Sequence, residues 1–243
     1  MTLSIDIGNT RSKLGIFEQG EMRYKAIFEV LSAENLAAVL SNHSIQNCIY
    51  STVAGIDEAA KAWLNTSFPV IELTDKSRLP FKNKYKTPKT LGKDRLAAVA
   101  GALRLYPKTN CLVIDAGTCI TYDVLTEKAH YLGGNIAPGL QMRLKAMHEF
   151  TDALPLAPLA PVRTPIGKST EHALQNGGLW GAVLEMQGVI DWCITEFGSI
   201  NVILTGGDAN FFANHLKREI FVHQNLVLIG LEKILEHNVK TSQ

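Results

Sequence analysis

The sequence predicts an α/β protein made of two similar halves, and three observations carry that expectation. One short pattern occurs twice, as Leu3-Ser4-Ile5-Asp6-Ile7-Gly8-Asn9-Thr10 and again as Leu112-Val113-Ile114-Asp115-Ala116-Gly117-Thr118-Cys119, offset by 109 residues. In each copy an apolar, β-branched run ends at an aspartate and a glycine-containing turn, and a second apolar strand follows, Lys13–Phe17 or Ile120–Leu125. Strand-like and helix-like periods then alternate through both halves, which meet near residue 110.

Each element has its own local reason. Leu3–Ile7, Lys13–Phe17 and Met22–Phe28 read as a three-stranded meander. Ser32 is placed to cap a helix carrying Leu36, Val39 and Leu40. Cys48–Val53 and Val70–Leu73 read as buried strands on either side of a helix over Asp57–Leu64. Between residues 76 and 93, Lys76, Arg78, Lys82, Lys84, Lys86, Lys89 and Lys93 are interleaved with Pro80 and Pro88. This segment is too polar for a core element and reads as a solvated connection or an anion-binding lid. Arg95–Tyr106 places Leu96, Val99, Ala100 and Leu103 at i, i+3, i+4 and i+7, the spacing of an amphipathic helix.

The second half repeats the theme with strands at Cys111–Asp115, Ile120–Leu125 and Ala129–Leu132. A long helix over Leu179–Phe197, a short strand at Val202–Thr205 and a closing helix from Asn225 to His237 follow. The expected domains are therefore 1–110 and 111–243, with a ligand cleft between them.

Composition narrows the function. The chain has 243 residues, 46% hydrophobic and 19% charged, with Lys+Arg 24 against Asp+Glu 23 and a formal charge of +1. That balance argues against nucleic acid or an anionic membrane surface as a partner. The amino terminus enters a strand-like run without the regions of a signal peptide, and no apolar stretch reaches the roughly 20 residues of a membrane span. Cys48, Cys111, Cys119 and Cys193 lack CxxC spacing and the histidines lack HExxH, so a zinc site is not expected. The expected compartment is the cytoplasm.

The chemistry is concentrated in short segments. In Asp6-Ile7-Gly8-Asn9-Thr10-Arg11-Ser12-Lys13, a strand carries a carboxylate to a turn where glycine permits close backbone approach to a ligand. Asn9, Thr10 and the turn amides can donate to phosphate oxygens, Lys13 can neutralise charge, and Asp6 can hold Mg²⁺ directly or through water. The segment is not a Walker A loop. An aspartate that only stabilises its own turn is the plainer alternative, which the second copy weakens. Asp115 and Thr118 would supply an opposing wall. Gly92, Asp94 and Arg95 stand where the amphipathic helix begins, so Asp94 reads either as a helix cap or as a general base beside an anion-binding arginine. Gly133-Gly134-Asn135-Ile136-Ala137-Pro138-Gly139-Leu140 reads as a turn, Thr170 as a cap or a substrate-binding hydroxyl, and Gly206-Gly207-Asp208 as a turn near adenine or ribose.

The architecture resembles the actin/Hsp70/sugar-kinase superfold, that is, duplicated actin-like ATPase (ribonuclease H-like) domains with a central cleft. Taken together, DIGNTRSK at 6–13, NKYKTPKTLGKDR at 83–95, IDAGTCITYD at 114–123, GGNIAPGL at 133–140, ST at 169–170 and LTGGDA at 204–209 closely resemble the type III pantothenate kinases. The resemblance implies ATP-dependent phosphorylation of pantothenate to 4′-phosphopantothenate, the first step of coenzyme A biosynthesis, by a cytoplasmic homodimer. It implies ATP contacts at Asp6, Ile7, Gly8, Asn9, Thr10, Arg11, Ser12, Lys13 and Thr118. Pantothenate contacts fall at Tyr85, Gly92, Lys93, Asp94, Arg95 and Thr170, with Asp94 as proton acceptor. Asp115 is implied as the ligand of a monovalent cation, K⁺ or NH₄⁺, with Mg²⁺ accompanying ATP. Two alternatives keep the scaffold: a kinase for another small hydroxyl substrate, and a non-catalytic accessory factor for transcription. The first has no reason to retain the central Tyr85–Arg95 segment, and the second tolerates loss of Asp6 or Asp94.

Overall fold

Leu3, Ser4 and Ile5 are all fully buried, although successive side chains of a strand point to opposite faces. The first strand is therefore covered on both sides, as its continuous apolar run requires. In the computed structural model, which describes residues 1–8, 10–53, 55–161 and 164–240, this strand is β1 (Thr2–Ile7). It leads into β2 (Ser12–Glu18) and β3 (Glu21–Phe28), the expected meander. Helix α1 (Ala33–Leu40) starts at Ser32, whose Oγ accepts a hydrogen bond from the Asn35 N–H at 3.2 Å. Strand β4 (Asn47–Thr52), helix α2 (Glu58–Ser67) and strand β5 (Val70–Glu72) follow, with Asp57 capping α2.

The strands form a sheet of order β3-β2-β1-β4-β5, antiparallel in the meander and parallel from β1 through β4 to β5. Leu3, Ile5, Leu14, Ile16, Leu36, Tyr50 and Leu64 make its core.

The basic segment carries more order than its composition suggests. Phe81 and Leu91 are buried in it, and it holds a two-residue strand, β6 (Lys82–Asn83), and a 3₁₀ turn at Pro88–Thr90. Helix α3 (Lys93–Leu105) then departs from the expected amphipathic form, because every residue from Arg95 to Ala102 is buried. The cover on its far side is the closing helix α7 (Leu226–Lys240). Small residues allow this close approach: a Cβ on Gly101 would overlap the Leu226 carbonyl oxygen, and one on Gly230 the Ala97 carbonyl oxygen. Arg104 donates to Gly20 O at 3.1 Å and pairs with Glu236 on α7 at 3.1 Å. Buried Glu232 of α7 accepts from Thr2 Oγ1 at 2.7 Å.

By packing, the chain forms two compact units that are not consecutive stretches. The first holds Met1–Lys108, Leu125–Leu132 and the described chain from Asn225; the second holds Thr109–Val124 and the described part of Gly133–Gln224.

In the second unit, β7 (Cys111–Ala116), β8 (Cys119–Leu125), β9 (His130–Pro138), β10 (Asn201–Thr205) and β11 (Phe221–Val222) take the order β9-β8-β7-β10-β11, the same connectivity as the first sheet. The first three residues of β9 belong to the first unit, where His130 and Tyr131 pair in parallel with β6. Strand β9 also corrects the expected turn at 133–138. Gly134 lies so close to β8 that a Cβ would overlap the Tyr122 carbonyl, and Gly133 (φ +112°) kinks the strand. The long helix α5 (Thr170–Phe197) begins nine residues before the apolar face that predicts it. Helices α4 (Leu140–Glu149) and α6 (Ala209–His215) complete the unit, and their short apolar faces pack on the core around Leu179, Met186 and Ile190. Among the described residues, no helix is long and apolar enough to cross a membrane.

Candidate active site

In the first unit, sheet register builds the surroundings of Asp6. Lys13 stands opposite it on β2 and Ser51 on β4. The Ser51 Oγ donates to Asp6 Oδ1 at 3.2 Å. Burial pushes the Asp6 carboxyl above its ordinary pKa; Ser51 and Lys13 pull it down, and the negative charge of Asp94 pushes it further up. The fold thus brings together two carboxylates that lie 88 positions apart in the chain. The turn after β1 closes with a Gly8 N–H bond to Arg11 O at 3.2 Å. Ile7 and Ser12 are buried at its base, whereas Thr10 and Arg11 are exposed. Asn9 lies outside the described residues.

Asp94 is not the helix cap that its position allows. Gly92 occupies the cap position, and Asp94 sits in the first turn of α3, its Oδ1 accepting from the Arg95 N–H at 2.8 Å. A Cβ on Gly92 would overlap that same Oδ1, so glycine leaves the carboxylate its place. Lys93 turns its ammonium to Leu91 O at 3.3 Å. Arg95 is only 4% exposed, and its guanidinium lies 5.8 Å from the centroid of the Tyr85 ring. Tyr85 stacks on buried Tyr131 with centroids 6.3 Å apart and planes at 12°, and Phe81 meets Tyr131 edge-on. An Asn83 side chain fixes the backbone before this row, accepting from the Tyr85 N–H at 2.9 Å. Tyr85, Gly92, Lys93, Asp94 and Arg95, predicted as one group, therefore gather at the start of α3.

In the second unit the turn after β7 is held by backbone. Gly117 N–H donates to Cys119 O at 2.9 Å, Asp208 N–H to Ala116 O at 2.9 Å, and Gly139 N–H to Thr118 O at 3.1 Å. Gly206 (φ +93°) packs where a Cβ would overlap Ala116 O, and a Cβ on Gly139 would overlap Gly117 O. Thr118 is exposed, and Asp115 lies at the end of β7 in register with Thr205. Among the described residues no three His, Cys, Asp or Glu side chains converge as a metal cage. The Asp115 carboxylate is a hard oxygen donor, the kind that a hard, weakly charged cation takes. Thr170 is the exposed first residue of α5. The cap beside it is Ser169, whose Oγ accepts from the His172 N–H at 3.3 Å.

Sequence reasoning missed Ser51 and Tyr131, and named Gly139 only as one residue of a glycine-rich turn. Only the parallel register of β1 and β4 could have pointed to Ser51, and the glycine-rich run around residue 134 held the signal for Gly139.

Comparison with known proteins agrees with this geometry. The family model described as type III pantothenate kinase matches residues 2–191. The type III pantothenate kinase of Christiangramia forsetii is 43% identical over 98% of this chain and 99% of its own length. That of Flavobacterium johnsoniae is 40% identical over 98% and 99%. Among solved structures, a Campylobacter jejuni protein assigned to the Baf family of transcriptional activators gives a TM-score of 0.61 at 23% identity, covering 98% of this chain and 99% of that one. Component A of the Acidaminococcus fermentans (R)-2-hydroxyglutaryl-CoA dehydratase gives 0.54 at 15% identity, covering 100% and 99%. The structures, at such low identity, speak to fold alone, and that fold is the actin-like one of ATPases and sugar kinases. The two relatives match from end to end, through both aspartate turns and the Tyr85–Arg95 segment between them, and the chain therefore belongs to the type III pantothenate kinase family.

Proposed function

We propose that this protein transfers the γ-phosphoryl group of ATP to the primary hydroxyl of pantothenate, giving 4′-phosphopantothenate for coenzyme A biosynthesis. The observation that carries this reading is the cluster at the start of α3, where Asp94, Arg95 and Tyr85 stand together and Asp94 lies near enough to Asp6 to raise its pKa. Tyr85 and Arg95 bind and orient the pantothenate, Arg95 drawing its carboxylate and Tyr85 its apolar chain. Gly92 and Lys93 shape the same wall, and Thr170 supplies a further hydroxyl. Asp94 accepts the hydroxyl proton as the oxygen–phosphorus bond forms, so no free alkoxide is needed. Asp6 through Lys13 contact ATP: the turn amides and Thr10 donate to phosphate oxygens, and Lys13 and Arg11 offset their charge. Thr118 is also an ATP contact. Mg²⁺ with ATP and a monovalent cation at Asp115 supply charge neutralisation when bound. Most of the rate acceleration comes from positioning and electrostatics, as in other phosphoryl transfers. The enzyme works as a cytoplasmic homodimer. The accessory-factor alternative requires neither carboxylate, and both are in place beside one another.

The test is phosphorylation of pantothenate by purified protein with ATP and Mg²⁺, with and without K⁺ or NH₄⁺. Phosphopantothenate that forms only with the monovalent ion supports both the activity and the Asp115 site. Product in its absence keeps the activity and removes the cation. Folded protein that binds ATP and makes no product overturns the reading.

A further inference from the structure

We propose that Arg143 and Glu185 are positioning residues for the turn that carries Thr118, acting on ATP affinity without touching the nucleotide. The proposal rests on the reading of Thr118 as an ATP contact. A chain of hydrogen bonds leads from these residues to that turn. Arg143, on α4, donates from Nε to Pro138 O at 2.9 Å. Pro138 precedes Gly139, whose N–H holds Thr118 O at 3.1 Å. The proline ring fixes φ there, and the Cβ space at Gly139 is filled by the turn itself, so movement of one peptide passes to the next.

Glu185, on α5, fixes the guanidinium from the other side. Its Oε2 accepts from Arg143 Nη2 at 2.6 Å, and its Oε1 accepts from the Tyr122 hydroxyl at 2.9 Å. Tyr122 lies on β8, the strand that leaves the Thr118 turn, so the bonds close a ring around it. The pair is well placed to be rigid: the Arg143 side chain is 18% exposed and the Glu185 side chain 35%. A fork with one prong on a carboxylate and another on a carbonyl is geometry that lysine cannot reproduce. Burial and the neighbouring Glu185 charge keep the Tyr122 phenol protonated and donating.

Steady-state kinetics in both substrates test the proposal. Arg143→Met is expected to raise KM for ATP about tenfold, the scale on which residues behind a binding shell act. KM for pantothenate and kcat should move less than about twofold. Glu185→Gln should shift KM for ATP in the same direction by less, Arg143→Lys should recover part of the loss, and the double variant should be no worse than Arg143→Met alone. Should Arg143→Met fail to fold, Glu185→Gln and Tyr122→Phe carry the same measurement. Equal shifts in both KM values, or an unchanged KM for ATP, overturn the proposal. Thr118→Ala separates the two failures. A raised KM for ATP there, with none in the ring variants, removes the positioning role alone; an unchanged KM removes the ATP contact and this proposal with it.

Discussion

The two aspartate turns share a sequence pattern and a sheet position, yet they are held by different means. In the first, side chains surround the carboxylate while a Gly8 N–H bond to Arg11 O closes the turn: Ser51 donates to Asp6, Lys13 faces it across the sheet, and Asp94 repels it. The second is set by backbone: three peptide N–H bonds fix residues 116–119, and Gly139 and Gly206 leave no room for a methyl group beside it. A side-chain cage adjusts the charge of a carboxylate, whereas a backbone cage fixes where carbonyls and a hydroxyl point. That division matches the proposed roles, an ATP contact at Asp6 and a cation ligand at Asp115.

Five substitutions break or sharpen this contrast. Asp94→Asn has the largest expected effect, a fall in kcat of about 10²–10⁴-fold, the usual contribution of a general base. Equilibrium binding of ATP and pantothenate should survive it, and near-normal turnover would remove the proton-acceptor role. Gly206→Ala attacks the second turn, combining a positive φ with a backbone overlap, and should cost about 1–3 kcal/mol in denaturant unfolding. Gly8→Ala in the first turn meets, among the described residues, Arg11 O at 3.1 Å and should cost less. Equal losses would erase the distinction between the cages.

Asp6→Asn should stabilise the protein at neutral pH while abolishing tight ATP binding. Asp6 has a folded pKa raised above its unfolded value, so its ionisation opposes folding as pH rises through the folded pKa. The variant lacks that loss. Its stability advantage should therefore vanish in acid, below the ordinary value of 3.8, grow as pH rises from there to the folded pKa, and stay level above it. An advantage independent of pH would point to packing instead. Ser51→Ala should have the smallest effect, about 1 kcal/mol from one lost hydrogen bond, with the Asp6 carboxyl pushed further up. Titration of that carboxyl by NMR would read the shift directly.

What the sequence revealed follows from the range of each physical cause. Strands β1, β2, β7 and β8 were legible because apolar runs, glycine turns and the repeat are local signals. The Ser32 cap was legible for the same reason, whereas Asp57, read as part of its helix, proves to be the cap. Ser51 was not, since only register with Asp6 gives it meaning. Gly133 and Gly134 suggested a turn because glycine at a kink and glycine at a close strand contact look alike in one dimension. Helix α3 showed one apolar stripe and proved buried all round, because alanines and Gly101 carry little hydropathy and still admit a neighbouring helix. Thr170 read as a cap or a substrate-binding hydroxyl, and the cap is Ser169 beside it, whose hydroxyl lies over the His172 N–H.

That same helix pairing bears on how the protein is made. Helix α7 closes the first unit although the whole second unit is translated between it and α3. Some 130 residues separate Lys108 from Lys240, a delay on the order of ten seconds at roughly 5–20 residues per second. Throughout that interval the nascent first unit carries an open apolar seam along α3, which a holdase can occupy and a premature stop codon would leave bare. The first unit is begun before the second and completed after it.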